Sequence, residues 1–273
     1  GANSRLAMFD RAGKELRTIG APADLFNHRI SPDGQRLAVA VLDSSVVNYQ
    51  LWLYDISREK EARLTFGHYR SRNTVWSPDG KTLIFAMNKK GPYDIFEKLS
   101  DSTGSEALVL ESETSKYPTD WSADGRFVAY SSSSSRDKTS VWILPRIGGR
   151  KPYDFVQGDH NAGEARFSPA GRWLAYTSDE SGRPEGYVAP FPQATSKWQV
   201  SVAGGSSPKW RRDGKELFYL SADSRLMAVD VDTSGAIIQV GAVRALFQVL
   251  LRTGPSRFDL SSTSEQIGYD SAP

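Results

Sequence analysis

The sequence predicts an all-β fold: a six-bladed β-propeller in which each blade is a four-stranded antiparallel sheet. A phrase made of a large apolar residue, Ser, a turn and Gly recurs along the chain, and its glycines stand at positions 34, 80, 125, 171 and 214. Short apolar strands fill the intervals, and no segment shows the 3.6-residue apolar period of a helix. A repeat of about 45 residues with four strands is typical of propeller blades.

The turn in each repeat joins a first strand to a second. In the second copy, Pro78 fixes its own φ, Asp79 can bond the nearby backbone and Gly80 accepts a positive φ. The copies run over residues 30–34, 76–80, 121–125, 167–171 and 210–214, and the last has Arg211 in place of Ser. We expect the large apolar residues that open these copies to pack between neighbouring blades.

Strand positions follow from the second copy, which reads as strands at residues 72–76, 82–86, 93–99 and 107–110. The third strands of the other copies are expected at 50–56, 140–144, 186–191 and 225–231, and the fourth strands at 62–66, 152–156, 198–202 and 243–249. We interpret residues 1–273 as a single propeller domain, with blades at 25–66, 70–111, 116–156, 161–202 and 206–249.

The sixth blade is predicted from the two ends of the chain. Residues 6–10 and 15–19 look like third and fourth strands without partners, and 258–261 and 265–269 look like a first and a second strand. Pairing of the segments 254–270 and 3–20 would close the ring and remove its exposed sheet edges. A seven-bladed ring is the alternative, although the sequence has no seventh copy of the phrase.

Composition excludes several classes of protein. The 273 residues contain no Cys, which excludes disulfides, thiol nucleophiles and cysteine zinc sites, and the net charge of +2 gives no general attraction to nucleic acid. No apolar stretch approaches the roughly 18 residues of a membrane span, and no signal-peptide core is present. We interpret Gly1-Ala2-Asn3 as an expression remnant, so membrane attachment is expected only through segments outside this chain.

Two segments carry a resemblance to a known family. Residues 76–83 read Trp-Ser-Pro-Asp-Gly-Lys-Thr-Leu, and residues 51–56 read Leu-Trp-Leu-Tyr-Asp-Ile and lead to Arg-Leu-Thr at 63–65. With the repeats, they make the chain resemble the TolB-like, WD-repeat-like β-propellers over nearly its whole length. The resemblance implies the fold, but it does not imply a ligand, because one fold hosts many functions.

A narrower resemblance begins in the fifth copy. Residues 214–220, 225–231 and 241–247 are similar to the propeller that ends many bacterial membrane-anchored serine/threonine kinases, which implies an extracytoplasmic, periplasmic-side location. The kinase itself would lie outside these residues. This chain has no Gly-rich loop, and His28-Arg29-Ile30 lacks the Asp of a kinase catalytic loop.

Residues that could support catalysis are sparse. Two segments, 135–138 and 206–209, match Ser-x-x-Lys, but neither has the companion motifs of that class of enzyme. The three histidines, His28, His68 and His160, all precede a first strand. Similar propeller lyases hold a metal with clustered histidines, whereas His68 and His160 would stand two blades apart. We therefore expect no catalytic residue, no metal and no cofactor.

Positive charge is in excess just before and within the first strands. If these side chains converge, they form a basic mouth suited to a carboxylate, a phosphate or an acidic peptide. The alternative is that strand alternation sends half of them outward as ordinary surface charge. The candidate binding residues are His28, Arg29, Arg70, Arg72, Lys116, Tyr117, His160, Glu164, Lys209 and Arg257.

Polar loops between second and third strands are expected on the same face, at residues 43–48, 88–92, 132–138 and 178–184. Tyr49, Tyr93 and Tyr117 could add aromatic contacts there, with core packing as the alternative for each. We predict a non-catalytic binding or sensor domain that recognises a protein, a peptide or a small anionic ligand, within a bacterial signalling protein. The alternatives are a TolB-like envelope adaptor, a propeller lyase and a domain associated with a hydrolase.

Overall fold

The computed structural model describes residues 4–133, 138–149, 151–156 and 158–249, together with the backbone of strands at 258–260 and 267–271. The chain divides into two compact units. Unit 1 contains Gly1–Pro118 and Leu250–Pro273, and unit 2 contains Thr119–Val249. All regular elements among the described residues are β-strands. That part of the chain accordingly offers no helix with the length and apolar character that crossing a membrane requires.

Unit 1 contains two complete blades. The first blade is the sheet β3-β4-β5-β6 and the second blade is the sheet β7-β8-β9-β10. Their strands are β3 (Leu25–Ile30), β4 (Arg36–Asp43), β5 (Asn48–Asp55), β6 (Lys60–Arg63), β7 (Ser71–Trp76), β8 (Thr82–Met87), β9 (Asp94–Leu99) and β10 (Ala107–Leu110).

The two ends of the chain form a further four-stranded sheet in unit 1. This terminal sheet consists of β1 (Ser4–Phe9), β2 (Glu15–Ala23), β23 (Phe258–Leu260) and β24 (Ile267–Ser271), in the order β2-β1-β24-β23. β1 and β24 are antiparallel, from Arg5 opposite Ser271 to Phe9 opposite Ile267. The predicted turn at 262–264 lies outside the described residues.

Unit 2 contains the fourth and fifth blades and most of the third. The third blade is β11-β12-β13-β14, the fourth β15-β16-β17-β18 and the fifth β19-β20-β21-β22. The strands are β11 (Ser115–Trp121), β12 (Phe127–Ser133), β13 (Thr139–Pro145), β14 (Tyr153–Asp154), β15 (Ala162–Phe167), β16 (Trp173–Ser178), β17 (Glu185–Pro190), β18 (Trp198–Gln199), β19 (Gly205–Trp210), β20 (Glu216–Ser221), β21 (Arg225–Asp232) and β22 (Gln239–Gln248). The boundary between the units falls inside β11.

The predicted blade plan is confirmed as four-stranded antiparallel sheets, but the predicted count needs a correction. Five blades are each built from four consecutive strands, and the terminal sheet is a separate assembly of the chain ends. Two predicted fourth strands are also too long. β14 and β18 each keep only two residues in regular pairing, whereas β22 extends over 10.

Large apolar residues pack between neighbouring blades, as predicted. Trp76 is 4% exposed and joins a cluster with side chains of both the first and the second blade. Phe167 packs against the third and fourth blades, and Trp210 against the fourth and fifth. The indole N–H of Trp76 donates to the Arg29 carbonyl at 2.9 Å, and that of Trp210 donates to the Arg166 carbonyl at 3.1 Å. Each indole therefore fixes its blade to the preceding one.

The repeated turn is stabilised by hydrogen bonds among its own residues. Ser77 Oγ donates to Asp79 Oδ1 at 2.6 Å and accepts the backbone N–H of Thr82 at 2.9 Å, while Gly80 has a φ of 67°. The hydrogen bond from Ser77, together with the backbone N–H of Lys81, lowers the pKa of Asp79. Aspartate, serine and glycine thus serve the turn itself.

Four of the five first strands contain a bulge at the same position, three residues before the large apolar residue. The residues at this position have φ between 50° and 56°, in the left-handed region, and they are Asn27, Asn73, Glu164 and Ser207. In β11 the equivalent residue is Pro118, whose ring fixes a negative φ. A bulge of this kind changes the direction of the side chains beside it.

Candidate functional site

The most unusual polar group of unit 1 is the guanidinium of Arg72 in β7, which three aromatic rings enclose. Its Cζ lies 4.2 Å from the ring centroid of Tyr93, 4.8 Å from that of Tyr117 and 5.6 Å from that of Phe26. These rings come from the segment before β9, from β11 and from β3. We call these four side chains the Arg72 site.

Backbone and hydroxyl contacts hold the two tyrosines of the Arg72 site in place. The carbonyl of Tyr93 accepts the N–H of Lys116 at 2.7 Å, which ties the segment before β9 to β11. The two tyrosine rings lie 5.3 Å apart, centroid to centroid. The Tyr117 hydroxyl accepts a hydrogen bond from Arg72 Nη2 at 3.0 Å. The guanidinium is therefore held by stacking and by one neutral hydrogen bond.

The charge of Arg72 is not neutralised by any carboxylate within the described parts of the chain. None of their ion pairs involves Arg72, and its Nε is buried without a hydrogen-bond partner. A half-buried guanidinium normally pairs with an anion, because a carboxylate or phosphate accepts two of its N–H groups at once. Aromatic faces compensate only part of the lost hydration. Arg72 is thus a cation without a carboxylate partner among the described residues, and its Nε donor has no acceptor.

Polar residues of two predicted loops contact Arg70, which stands two residues before Arg72. Arg70 Nε donates to Asn48 Oδ1 at 2.9 Å, and the backbone N–H of Arg70 donates to Asn88 Oδ1 at 2.7 Å. Tyr49 packs against Phe26 at 5.6 Å between centroids. The structure therefore brings Arg70, Arg72 and Tyr117 of the predicted set into one region of unit 1.

Lys116 has a different environment from the one expected of a ligand-binding lysine. It is 2% exposed, and its Nζ donates to Asp94 Oδ1 at 2.9 Å and to the carbonyl oxygens of Thr114 at 2.6 Å and Ser112 at 3.3 Å. Its charge is already neutralised, so Lys116 fixes the chain between β10 and β11 and adds no free positive charge.

His28 and Arg29 lie in β3, and both interact with other groups of the protein. His28 is buried, at 8% exposed. The backbone carbonyl of Arg29 accepts the Trp76 indole. The remaining histidine of unit 1, His68, offers its carbonyl to Asn48 Nδ2 at 2.6 Å. These contacts stabilise the first and second blades.

Three predicted residues lie in unit 2. His160 Nε2 stands 3.5 Å from Glu180 Oε2, and Lys209 is 6% exposed in β19. Glu164 accepts hydrogen bonds from the Ser207 N–H at 2.7 Å, the Ser207 hydroxyl at 3.0 Å and the Thr177 hydroxyl at 2.9 Å. Glu164 thus joins β15 to β19. Arg257 lies outside the described residues, and convergence of the whole predicted set stays a prediction.

Sequence reasoning missed that Phe26, Arg72 and Tyr117 occupy one equivalent position. Each stands four residues before the large apolar residue of its own first strand. Aligning the repeats on that residue would have grouped them. No set of three or more His, Asp and Glu side chains suited to a metal ion occurs in the ranges that the structure describes.

Comparison with known proteins decides the fold. The structure of a putative TolB from Agrobacterium tumefaciens superposes with a TM-score of 0.79, covering 100% of this chain and 99% of that one at 17% identity. The fold is that of a TolB-like β-propeller. TolB from Acinetobacter baumannii matches with a TM-score of 0.60 at 15% identity, covering 99% of this chain and 64% of the other. Oligogalacturonate lyase in complex with manganese matches at 0.62 and 13%, covering 95% and 80% of the two chains.

The sequence relatives of this TolB-like propeller are themselves named as uncharacterized proteins. No family model matches the chain. The uncharacterized peptidase YuxL of Bacillus subtilis is 23% identical over 204 residues, which are 59% of this chain but 30% of the peptidase. The uncharacterized protein Atu1656 of Agrobacterium fabrum is 25% identical over 207 residues, covering 71% of this chain and 69% of that protein. The match therefore spans under a third of the peptidase.

Proposed function

We propose that this TolB-like propeller is a non-catalytic binding domain that recognises an anionic group of a peptide or partner protein at the Arg72 site. The observation that carries the proposal is the guanidinium of Arg72, half-buried among three rings and without a carboxylate partner among the described residues. The stacked rings hold the guanidinium in a fixed orientation before a ligand arrives, so little conformational entropy is lost on binding. A terminal carboxylate, an acidic side chain or a phosphate fits its donor geometry.

The wider setting is part of the same proposal. Residues 1–273 form one domain in this proposal. The domain is the extracytoplasmic sensor part of a bacterial signalling protein whose serine/threonine kinase lies outside these residues. The sequence resemblance of the fifth copy supports this setting. Deletion of residues 1–20 removes β1 and most of β2 from the terminal sheet and should lower the melting temperature; an unchanged melting temperature would contradict a stabilising role of that sheet.

The binding proposal is tested with a pair of acetylated tripeptides that differ only in a free or amidated carboxyl end. The free carboxylate should bind more tightly than the amide, and Arg72→Gln should weaken it about tenfold while leaving the amide unchanged. Arg58→Gln is the matched control, since Arg58 is 76% exposed in the same unit. Equal binding of both peptides, or full binding by Arg72→Gln, would contradict the proposal. Phosphate serves as a second anionic probe.

A second candidate function is the propeller of a larger peptidase, supported by the similarity to the peptidase YuxL over 30% of its length. In that case the natural full-length protein cleaves peptides. Arg72→Gln then changes its preference between peptides with a free and with an amidated carboxyl end. A full-length protein with kinase activity and no peptidase activity would favour the sensor proposal. Capture of an envelope protein by the propeller would favour the adaptor alternative.

A further inference from the structure

Unit 2 contains a cavity of about 960 Å³ between the third and fourth blades, separate from the Arg72 site. One wall comes from the third blade, through residues at the start of β12, the end of β13 and around β14. The opposite wall is the segment 192–197 between β17 and β18, all of which is exposed. The volume lies in the range of small-molecule sites, which is about 300–1,000 Å³.

Aromatic side chains fix the shape of this cavity. Phe191 packs edge-on against Phe127 and against Phe167, with ring centroids 5.0 Å apart in both pairs, which anchors the segment 192–197 to the third blade. The Tyr153 hydroxyl donates to the Pro192 carbonyl at 3.2 Å. Tyr176, 1% exposed, also lines the cavity. The cavity is therefore a built, largely apolar space.

Three cationic side chains border the cavity. Arg126 has a side chain that is 61% exposed, and its nearest carboxylate, Asp124, is 3.8 Å away. Lys151 is exposed and makes no hydrogen bond or ion pair within the described ranges. Lys197 pairs with Glu180 and is half exposed. The border therefore carries positive charge that a ligand can still reach.

The one acidic residue that lines the cavity points away from it. Asp154 and Tyr153 are neighbours in β14, and successive side chains of a strand face opposite sides of the sheet. Tyr153 packs with the cluster between the third and fourth blades, so the Asp154 carboxylate lies on the other face. There it stands beside Tyr130, where burial first and Asp154 second raise the pKa of the phenol. The interior of the cavity is thus apolar and its border cationic.

We propose that this cavity binds a small carboxylate with an apolar or aromatic body, the body lying against Tyr153 and Phe127 and the carboxylate near Lys151 and Arg126. The inference is independent of the Arg72 site, with which the cavity shares no residue. The charge on the border selects an anion over a cation, and the enclosed rings select a compact body over an extended chain.

The test uses phenylacetate, indole-3-acetate and hexanoate, each with its amide and its amine, followed by shifts of the backbone amide resonances of residues 193–197. Each carboxylate should bind more tightly than its neutral amide, and the amine should bind most weakly. Lys151→Glu should weaken the carboxylates about fivefold and Arg126→Glu/Lys151→Glu about tenfold or more, because charge reversal at exposed positions has effects of this order. Lys60→Glu, an exposed lysine of unit 1, is the matched control.

Resonances of residues 71–76 report the Arg72 site separately, so the failure of one proposal can be told from the failure of the other. Amides that bind as tightly as the carboxylates, binding unaffected by the double reversal, or no shift at 193–197 with any carboxylate would overturn the inference. Shifts at 193–197 with an acidic peptide but with none of the small carboxylates would overturn it as well, since they would show a macromolecular occupant.

Discussion

The two units repeat one backbone plan but carry different side chains at one equivalent position of their first strands. Four residues before the large apolar residue of each first strand, unit 1 carries Phe26, Arg72 and Tyr117, whereas unit 2 carries Gly163 and Ser206. In unit 1 these side chains build the Arg72 site. In unit 2 the position is small, and a Cβ on Gly163 would meet Ser131 Oγ at 3.2 Å. The scaffold is repeated, and the difference in chemistry lies in single side chains mounted on it.

The two units also differ in the partners of a charged side chain on a first strand. The Glu164 carboxylate of unit 2 accepts three hydrogen bonds from Ser207 and Thr177, whereas the Arg72 guanidinium of unit 1 has one neutral acceptor. A charge whose partners are all internal stabilises the fold, and a charge with unmet donors is available to a ligand. The comparison therefore separates a carboxylate whose hydrogen-bond donors belong to the fold from a guanidinium without a carboxylate partner among the described residues.

The largest effect on stability is expected from a buried tryptophan that both units have at the same position of a first strand. Trp76→Ala in unit 1 and Trp210→Ala in unit 2 each remove a buried indole between two blades, and each should lower the free energy of unfolding by about 3–5 kcal/mol. Urea unfolding measures both. A small loss in one unit and a large loss in the other would show that the repeated residue does not have the same structural role in both units.

Substitution of Lys116 tests whether this lysine stabilises the fold or binds a ligand. Lys116→Met leaves the buried Asp94 carboxylate without its cation, which should destabilise the protein by about 3–5 kcal/mol. The double variant Lys116→Met/Asp94→Leu should recover much of that loss, because neither charge is then buried alone. Urea unfolding of both variants provides the measurement. If Lys116→Met kept full stability and instead lost anion binding, the lysine would belong to the predicted basic mouth.

Glu164 and Arg72 should respond in opposite ways to truncation. Glu164→Ala leaves the Ser207 and Thr177 donors without their acceptor and should cost about 1–3 kcal/mol of stability. Arg72→Ala should change stability by less, because no carboxylate loses its partner, and should remove anion binding. Thermal melting and peptide titration of the same two variants check both halves. A reversed outcome would interchange the structural and recognition assignments.

The smallest expected effect is on how the stability of the protein depends on acidic pH. Burial alone would raise the pKa of Glu185, but hydrogen bonds from Ser201, the Gly204 N–H and Arg183 outweigh it and lower the pKa. Its stabilising contribution is therefore complete above the unfolded-state pKa of about 4.3 and is lost as the pH falls through the lower folded-state value.

Glu185→Gln is the variant that tests this dependence. Urea unfolding of the wild-type protein should give a stability that declines on acidification below about pH 4.3, and the variant should decline less steeply over the same interval. The equivalent position at the start of β5 is the neutral Gln50, which bonds the Gly67 and Tyr69 carbonyls. Gln50→Ala should therefore leave the acid dependence unchanged. Equal slopes for Glu185→Gln and the wild-type protein would contradict this origin of acid sensitivity.

Much of the fold could be predicted because the signals are local. The turn at Ser77, Asp79 and Gly80 is specified by residues adjacent in the chain, and the first strand before it follows from the same repeat. The lengths of β14 and β22 could not be predicted, since strand ends depend on where a neighbouring strand stops pairing. The sequence named Arg72, Tyr93 and Tyr117 as candidates, but their assembly with Phe26 escaped prediction for the same reason. Nothing local to Phe26 or Tyr93 indicates that Arg72 lies between them.

The sequence by itself determined the repeated four-stranded unit, its turns and the large residues that pack between blades. It also supplied the excess of positive charge before and within the first strands. Only the tertiary structure decided that Lys116 is neutralised by Asp94 while Arg72 is surrounded by rings. The physical reason is that a charge becomes structural or available according to which groups from other strands surround it. Those groups lie 22 residues away for Lys116 and Asp94 and 45 residues away for Arg72 and Tyr117.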